Sequence, residues 1–234
     1  MPNYKCGNMK LSKLMKKPLI IVLLGKSGSG KGTQAELLME KFGLDYISTG
    51  DLLRARSKKK DFTGEKLAKS LVAGEISPTA VIFKLWLDEV EKLKAKKNLK
   101  GIVMDGCPRK ILEAYLQDEA FKWYGWDKNR KIILVDISNK EAIWRLTKRR
   151  ICKRCKEIIP FVGEFRKIKN CPKCGGKLIR RSDDTVAAVK NRLKWFRTDV
   201  QPIINYYRKT GRLIKINGEQ SIEDVFKDIL KNIK

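Results

Sequence analysis

A run of seven residues without a polar interruption, PLIIVLL over residues 18–24, begins the regularly patterned part of the chain. Such a run is typical of a strand that is buried on both faces of a parallel sheet. The glycine-rich stretch GKSGSGKGT (25–33) follows, and apolar residues then recur at helical spacing through Leu38 to Phe42, where Gly43 is suited to end the helix. The pattern therefore predicts a strand, a glycine loop and a helix in succession.

A second stretch, DYISTGDLLRARS (45–57), predicts the end of a strand, a turn and a helix. The first turn of that helix holds Thr49 and Asp51, and Arg54 lies one turn later. A guanidinium at this place is suited to a phosphate group. We therefore expect a second phosphate contact here.

A third stretch, GIVMDGCPRK (101–110), predicts another buried strand that ends at Asp105 and is followed by a turn and Arg109. Ligands of open α/β sheets collect at the carboxyl ends of such strands. Two phosphate-binding strand ends beside a glycine loop indicate two nucleotides that meet at their phosphates.

The C-terminal part of the chain carries a long apolar stripe with steps of three and four residues, which predicts one long helix packed on the core. Pro202 is expected to kink it, and Asp184 is a candidate N-cap. The stripe consists of Val186, Val189, Leu193, Phe196, Val200, Ile203 and Tyr207.

Composition supports a globular protein, because 42% of the 234 residues are hydrophobic and 34% are charged. No apolar run approaches the length of a membrane span. Residues 1–17 are basic, and the short apolar run after them enters the glycine loop rather than a cleavage site. We expect a cytoplasmic protein with a disordered N-terminal extension over residues 1–17.

The net charge of +27 is compatible with a surface that attracts polyanions and with a merely lysine-rich solvated surface. The 38 lysines and 15 arginines are spread along the chain, which favours the second interpretation and makes a nucleic-acid partner unexpected. Arginine in such a chain is expected where a planar, forked contact is needed.

The glycine loop has the composition of a phosphate-binding loop. Gly28 and Gly30 allow backbone N–H groups to turn inward, and the following helix N-terminus favours an anion. Lys31 supplies a positive charge to the phosphates, while Gly32 separates it from Thr33, where the usual pattern has Ser or Thr directly after the lysine.

Four cysteines occur as two C-x2-C pairs separated by fifteen residues. This spacing predicts a structural zinc site, since four thiolates leave no open coordination position. Disulfides are the alternative, but a cytoplasmic chain keeps its thiols reduced. The predicted zinc ligands are Cys152, Cys155, Cys171 and Cys174.

From Pro18 to its end, the chain resembles adenylate kinases of the zinc-bearing long-lid form. The resemblance rests on GKSGSGKGTQ, STGDLLR, LVAGEI, DGCPR, RRIC, RRSDD, NRL and INGEQ in the family's order. It implies an α/β fold in residues 18–234, with a P-loop and a five-stranded parallel sheet flanked by helices. It also implies a monophosphate-binding insert at 48–77 and a mobile lid at 149–184. The five strands are expected near 18–24, 44–47, 101–105, 131–137 and 212–216.

The resemblance also implies roles for individual residues, with no general base. The catalytic set is Lys31, Asp105, Arg109, Arg145, Arg149, Arg181 and Arg192. The ATP-binding set is Gly28, Ser29, Gly30, Lys31, Gly32, Thr33, Arg145, Arg149, Ile158, Ile159 and Gln220. The AMP-binding set is Thr49, Arg54, Glu75, Ile76, Ser77, Gly106, Arg109, Glu113, Arg181 and Arg192. Thr33 and, through water, Asp105 are expected to position Mg²⁺.

Three positions depart from the family pattern: Cys107 replaces the usual Phe, Asn217 the usual Asp and Glu113 the usual Gln. An ionised Glu113 can only accept hydrogen bonds, which suits guanine better than adenine. Three alternatives stay open. A protonated Glu113 recognises the base of AMP, Gln117 one helical turn later assists in recognising it, or the acceptor is GMP.

The sequence as a whole favours a nucleoside-monophosphate kinase that transfers a phosphoryl group from ATP to AMP as a monomer. The alternative from another class is a nucleic-acid-associated ATPase whose zinc ribbon binds RNA. The paired phosphate sites favour the kinase, because an ATPase needs no monophosphate pocket.

Overall fold

The computed structural model describes residues 17–181 and 184–233, and its central strands coincide with the apolar runs of the sequence. The extension 1–17, except Lys17, therefore lies outside the described residues. The strands are β1 (Leu19–Leu24), β2 (Asp45–Ser48), β3 (Gly101–Asp105), β4 (Arg130–Asp136), β5 (Arg150–Cys152), β6 (Ile158–Ile159), β7 (Leu178–Ile179) and β8 (Leu213–Asn217). The α-helices are α1 (Lys31–Phe42), α2 (Thr49–Arg56), α3 (Phe62–Ala73), α4 (Thr79–Lys94), α5 (Ile111–Trp123), α6 (Asn139–Lys148), α7 (Val186–Trp195), α8 (Gln201–Lys209) and α9 (Ile222–Ile233).

Five of the strands form a parallel sheet in the order β2-β3-β1-β4-β8, as predicted. All six residues of β1 are buried, since this strand is central and helices cover both faces of the sheet. The carboxyl ends of β1, β2 and β3 meet at one edge, and the glycine loop, Thr49 and Asp105 follow or end these strands there.

Alternate residues of β1 point into two separate apolar layers. Ile20, Val22 and Leu24 join a cluster that contains Trp86, Phe121 and Tyr207. The other three residues, Leu19, Ile21 and Leu23, join a second cluster formed with helices α1 and α9. Because side chains alternate along a strand, β1 packs against an apolar layer on each face of the sheet. These two layers hold in place the strand end that carries the glycine loop.

Two smaller units interrupt the sheet and its helices. Helices α2 and α3 pack with α4 through the small apolar cluster of Leu53, Leu67 and Ile82. The short strands β5, β6 and β7 form an antiparallel sheet in the order β6-β5-β7. The first unit lies between β2 and β3 in the chain, and the second lies between α6 and α7.

The helix ends follow local chemistry with one exception. Gly43 ends α1 with φ 65°, as predicted, and Ser48 caps α2 by accepting a hydrogen bond from the Asp51 N–H at 3.2 Å. The predicted cap at Asp184 is wrong. Thr185 caps α7 instead, because its Oγ1 accepts from the Ala188 N–H at 3.2 Å, which leaves the Asp184 carboxylate available for arginines.

The predicted C-terminal helix is divided into α7, a π-helical turn at Phe196–Val200 and α8, and Pro202 lies in the first turn of α8. Val186 is wrongly assigned to the core stripe, since it is 56% exposed in the first turn of α7. Within the described ranges, no helix is both long and apolar enough to cross a bilayer.

Candidate active site

The loop between β1 and α1 is shaped to surround an anion. Gly30 precedes α1 with φ 94°, and no side chain caps this helix, so its first N–H groups are available to a phosphate. A Cβ atom at Gly25 would lie 2.4 Å from the Val135 carbonyl oxygen. Glycine at this position therefore lets the loop pass close to β4.

The Lys31 ammonium group lies inside this loop. Its Nζ donates to the carbonyl oxygens of Gly25 and Lys26, both at 2.9 Å, and more weakly to Ser29 Oγ at 3.4 Å. Burial lowers the pKa of Lys31, and the nearby Asp105 carboxylate opposes that shift. The positive charge is thus held at the place where phosphate would bind.

Asp105, the last residue of β3, faces the same loop. Its Oδ2 accepts a hydrogen bond from the Tyr46 hydroxyl at 3.4 Å and lies 4.0 Å from the position that a Gly32 Cβ would occupy. Its Oδ1 is buried and has no hydrogen-bond partner among the described residues. This oxygen is available to a water or cation beside the phosphates.

One cavity of about 320 Å³ connects the loop with the ends of β2 and β3. Its lining is positive on balance, since all six arginines predicted from the sequence and Lys31 outnumber the acidic residues Glu36, Asp51, Glu75 and Asp105. These arginines are Arg54, Arg109, Arg145, Arg149, Arg181 and Arg192.

A single buried carboxylate organises two of these arginines. Asp184 accepts a forked pair of bonds from Arg149, at 2.8 Å from Nε and 2.7 Å from Nη2, and a third bond from Arg192 Nη1 at 3.0 Å. Burial lowers the pKa of Arg149, and the Asp184 charge opposes the shift. The neighbouring Asp183 lies outside the described residues.

Arg145 is anchored in a similar way from α6. Its Nε donates to Glu141 Oε1 at 2.7 Å, and its Nη2 donates to the Gly218 carbonyl at 3.0 Å. Gln220, two residues further on, donates to Asp228 Oδ2 at 3.0 Å. Both side chains lie at the end of the cavity beside the glycine loop.

At the other end of the cavity, Arg54 pairs with Asp51, its neighbour three residues earlier on α2. Arg109 donates from Nε to the Gly106 carbonyl at 2.7 Å, and its guanidinium carbon lies 5.4 Å from the centre of the Trp195 ring. Burial lowers the pKa of Arg109, and the charge of the neighbouring Glu113 carboxylate opposes that shift.

Not every predicted contact residue lines the cavity. Ile158 does and is 43% exposed, whereas its neighbour Ile159 is 3% exposed, because successive side chains of a strand point to opposite faces. On the acceptor side, Glu75 and Gly106 line the cavity, as do Gly28 to Thr33 on the donor side. The predicted contact residues that do not line the cavity are Thr49, Ile76, Ser77, Glu113 and Ile159.

Three aromatic residues of the cavity were missed by the sequence reasoning: Tyr46, Phe161 and Trp195. Trp195 stands three residues after Arg192, so helical spacing could have placed it on the same face of α7. Phe161 follows the β6 pair after one intervening residue, Pro160. The spacing of Trp195 from Arg192 and the position of Phe161 after β6 are both visible in the sequence. Such features are too common to identify a cavity residue.

The four lid cysteines converge as predicted. Their sulfur atoms lie within 4.8 Å of one another, with 3.5 Å between Cys152 and Cys174 and 3.6 Å between Cys155 and Cys171. A tetrahedral zinc ion with four thiolates requires sulfur atoms about 3.8 Å apart. None of the four forms a disulfide.

The surroundings of the cysteines fit a metal site as well. The Cys155 N–H lies 3.5 Å from Cys152 Sγ and lowers the pKa of the Cys152 thiol, whereas burial and the neighbouring thiols raise the pKa of Cys155. A Cβ at Gly176 would lie 2.8 Å from Cys152 Sγ. The cluster is therefore compatible with zinc.

Comparison with known proteins decides the family. The sequence profile of adenylate kinase matches residues 23–212, which include the glycine loop, the lid cysteines and all six arginines. The chain belongs to the adenylate kinase family. It is 38% identical to an adenylate kinase of Methanocella arvoryzae over 217 residues, which cover 91% of this chain and 97% of that protein.

Other adenylate kinases are similar over most of their length. One from Chlamydia trachomatis serovar L2 is 34% identical over 226 residues, covering 92% of this chain and 90% of the relative. One from Archaeoglobus fulgidus is 36% identical over 213 residues, which cover 89% of this chain and 95% of that protein. As a member of this family, the protein is a phosphotransferase that acts on nucleoside monophosphates and uses Mg²⁺ with ATP.

Proposed function

We propose that the protein transfers the terminal phosphoryl group of ATP reversibly to AMP and forms two molecules of ADP. The observation that carries this proposal is the convergence of Lys31 and six arginines from both ends of one cavity. The glycine loop accounts for one nucleotide. Arg54 and Arg109, at the opposite end, are suited to the phosphate of a second nucleotide.

On the donor side, the loop amides from Gly28 to Thr33 and the Lys31 ammonium bind the ATP phosphates. Arg145 and Arg149 approach them from the base of the lid. Ile158 and Gln220, which line the cavity, flank the base, while the neighbouring Ile159 is buried and does not line the cavity. Support comes from the uncapped N-terminus of α1 and from the anchoring of Arg145 by Glu141 and Gly218.

On the acceptor side, Arg54, Arg109, Arg181 and Arg192 bind the monophosphate and the group in transfer. Because Asp184 holds both Arg149 and Arg192, one carboxylate aligns a donor arginine with an acceptor arginine. Such preorganised positive charge is the main requirement of phosphoryl transfer. Glu75 and Gly106 line this end of the cavity and flank the base. The other three residues of the predicted set, Thr49, Ile76 and Ser77, do not line the cavity.

The two proposed metals have separate tasks. Mg²⁺ neutralises charge on the ATP phosphates, and Thr33 together with Asp105, whose Oδ1 has no partner within the described ranges, would hold it. Zn²⁺ would be bound by the four lid cysteines and would hold together a sheet whose strands have only two or three residues.

Residues 18–234 are proposed to form the kinase core. Within it, residues 48–77 act as the acceptor insert and residues 149–184 act as the lid. We further propose a cytoplasmic monomer whose partners are nucleotides, with neither membrane nor nucleic acid among them. Support for the compartment comes from the five described cysteines, all of which are free thiols.

The choice of acceptor base centres on Glu113, which is 1% exposed in the first turn of α5. Its Oε2 accepts from the Arg109 backbone N–H at 2.7 Å, whereas its Oε1 is held only weakly, at 3.4 Å from Thr79 Oγ1. Burial raises the pKa of this carboxyl, and the positive charges of Arg109 and Lys110 oppose that shift. A proton on Oε1 would let it donate to the adenine ring nitrogen.

Glu113→Gln is expected to improve the use of AMP, most clearly at high pH. The wild-type carboxyl loses its proton as pH rises through its raised pKa, and the carboxylate then repels the ring lone pair, whereas an amide keeps its donor. We expect kcat/KM for AMP to rise by about three- to tenfold at the alkaline end. The measurement is kcat/KM for AMP, GMP, CMP and UMP from about pH 6 to about pH 9.

Glu119→Gln, on the exposed face of the same helix, is the matched control and should leave the profile unchanged. A flat wild-type profile that Glu113→Gln does not alter would show that Glu113 does not contact the base. A preference for GMP in the wild type would establish the alternative acceptor.

The proposed activity itself is tested by measuring ADP formation from ATP with AMP present or omitted. We expect ADP formation to depend on AMP and to exceed that with GMP, CMP or UMP. RNA binding is measured beside it at two salt concentrations, since contacts with phosphates weaken as salt rises. ATP hydrolysis that RNA stimulates and AMP does not would favour the ATPase alternative.

A further inference from the structure

We infer that Trp195 is a positioning residue that couples the docking of the insert to the orientation of Arg109. The inference rests on the proposed function, in which Arg109 binds the acceptor phosphate. Trp195 is the last residue of α7, is half-buried and lines the cavity. Nothing in its spacing along the chain distinguishes it from a core residue, so the argument depends on its contacts.

The first contact joins α7 to the end of the insert. Trp195 Nε1 donates to the Gly74 carbonyl at 3.0 Å, and one turn earlier Asn191 Nδ2 donates to the Ala73 carbonyl at 3.0 Å. Carbonyls at the end of a helix, as here at α3, have no partner within the helix. Two side chains of α7 thus satisfy the carbonyls that end α3.

The backbones also approach closely at this point. Gly74 has φ 70°, and a Cβ atom there would lie 2.7 Å from the Ala188 carbonyl oxygen. A side chain would therefore separate α3 from α7 and break both hydrogen bonds. Close contact between the insert and α7 depends on this glycine.

The second contact joins the same indole ring to Arg109. The guanidinium carbon lies 5.4 Å from the ring centre, within the range of a cation–π interaction, while Nε is held by the Gly106 carbonyl at 2.7 Å. One face of the guanidinium is thereby fixed by a ring whose own position depends on the Gly74 carbonyl. When the insert docks on α7, the ring and the acceptor arginine are positioned together.

The two contacts can be separated by substitution. Trp195→Phe keeps a ring beside Arg109 and removes the N–H donor, whereas Trp195→Leu removes both. Asn191→Ala removes the neighbouring hydrogen bond without touching Arg109. Trp123→Phe, at a tryptophan that is 85% exposed on α5, is the matched control.

We expect Trp195→Phe to raise the KM for AMP by about three- to tenfold, the equivalent of one hydrogen bond, with kcat and the KM for ATP within twofold of wild type. Trp195→Leu should raise the KM for AMP further and also lower kcat, because Arg109 loses its stacking partner. Asn191→Ala should raise the KM for AMP by less than Trp195→Phe does, and Trp123→Phe should change neither constant.

Hydrogen exchange of the nucleotide-free protein gives a readout that does not need the proposed activity. Trp195→Phe and Asn191→Ala should both speed exchange in residues 62–77, and Trp123→Phe should not. An unchanged KM for AMP in Trp195→Phe, or equal rises in both KM values, would overturn the coupling. If the wild type used no monophosphate, the proposed function would fail, and exchange would still test the contact with the insert.

Discussion

Lys31→Met is expected to lower kcat by about two to three orders of magnitude while the fold is kept. The Lys31 ammonium lies in the glycine loop, 2.9 Å from the carbonyl oxygens of Gly25 and Lys26, and supplies charge where the transferred group becomes more negative. Methionine fills a similar volume without that charge. The free energy of unfolding should change little, since a buried ammonium also bears a desolvation cost.

The measurement is kcat with ATP and AMP, beside circular dichroism and the thermal midpoint. Lys227→Met is the matched control, because that lysine is exposed on α9 and pairs with Asp224 on the same helix. We expect wild-type kcat in the control. A Lys31→Met enzyme with comparable kcat would show that the glycine loop is not the site of transfer.

Cys171→Ser is expected to cause the largest loss of stability, through loss of the lid metal. Cys171 is buried, and serine does not replace a thiolate as a zinc ligand at neutral pH. A loss of roughly 3–5 kcal/mol is typical of removing a structural metal ligand. For a chain of this length, we expect the thermal midpoint to fall by about 10 °C.

Metal analysis of protein purified without added zinc gives the second measurement. We expect about one zinc per chain in the wild type and clearly less in Cys171→Ser. Cys107→Ser is the matched control, since Cys107 is buried outside the cluster and should leave the zinc content unchanged. A wild-type protein without metal whose lid is fully folded and active would contradict the zinc assignment.

Much of the fold was predictable because its determinants are local. The uninterrupted apolar run marks β1, the glycines mark the loop, and Gly43 marks the end of α1, as the structure confirms. Arg54 and Arg109 were indicated by their places after predicted strands, whereas the other four arginines were found by family resemblance. Their convergence on one cavity is a property of the fold, because they come from α2, the β3–α5 connection, α6, the residues at the base of the lid and α7.

The errors of the sequence reasoning have a common cause. Thr185 and Asp184 are both suitable helix caps, and Asp184 is excluded by a distant partner, Arg149, which is 35 residues away in sequence. Val186 has the spacing of the stripe but lies in the first turn of α7, where its side chain stays largely exposed. In both cases the local sequence was compatible with two placements of the residue, and the packing of distant parts of the chain decided between them.

By itself, the sequence determined the parallel sheet, the phosphate loop and the paired cysteines, because strand burial, backbone turns and ligand spacing depend on residues close together along the chain. Only the tertiary structure decided which groups meet across the cavity. Asp184 with Arg149 and Arg192, the two oxygens of Glu113, and Trp195 between Gly74 and Arg109 are such contacts. They join residues from separate elements, and long-range packing brings these together without leaving a periodic signal in the sequence.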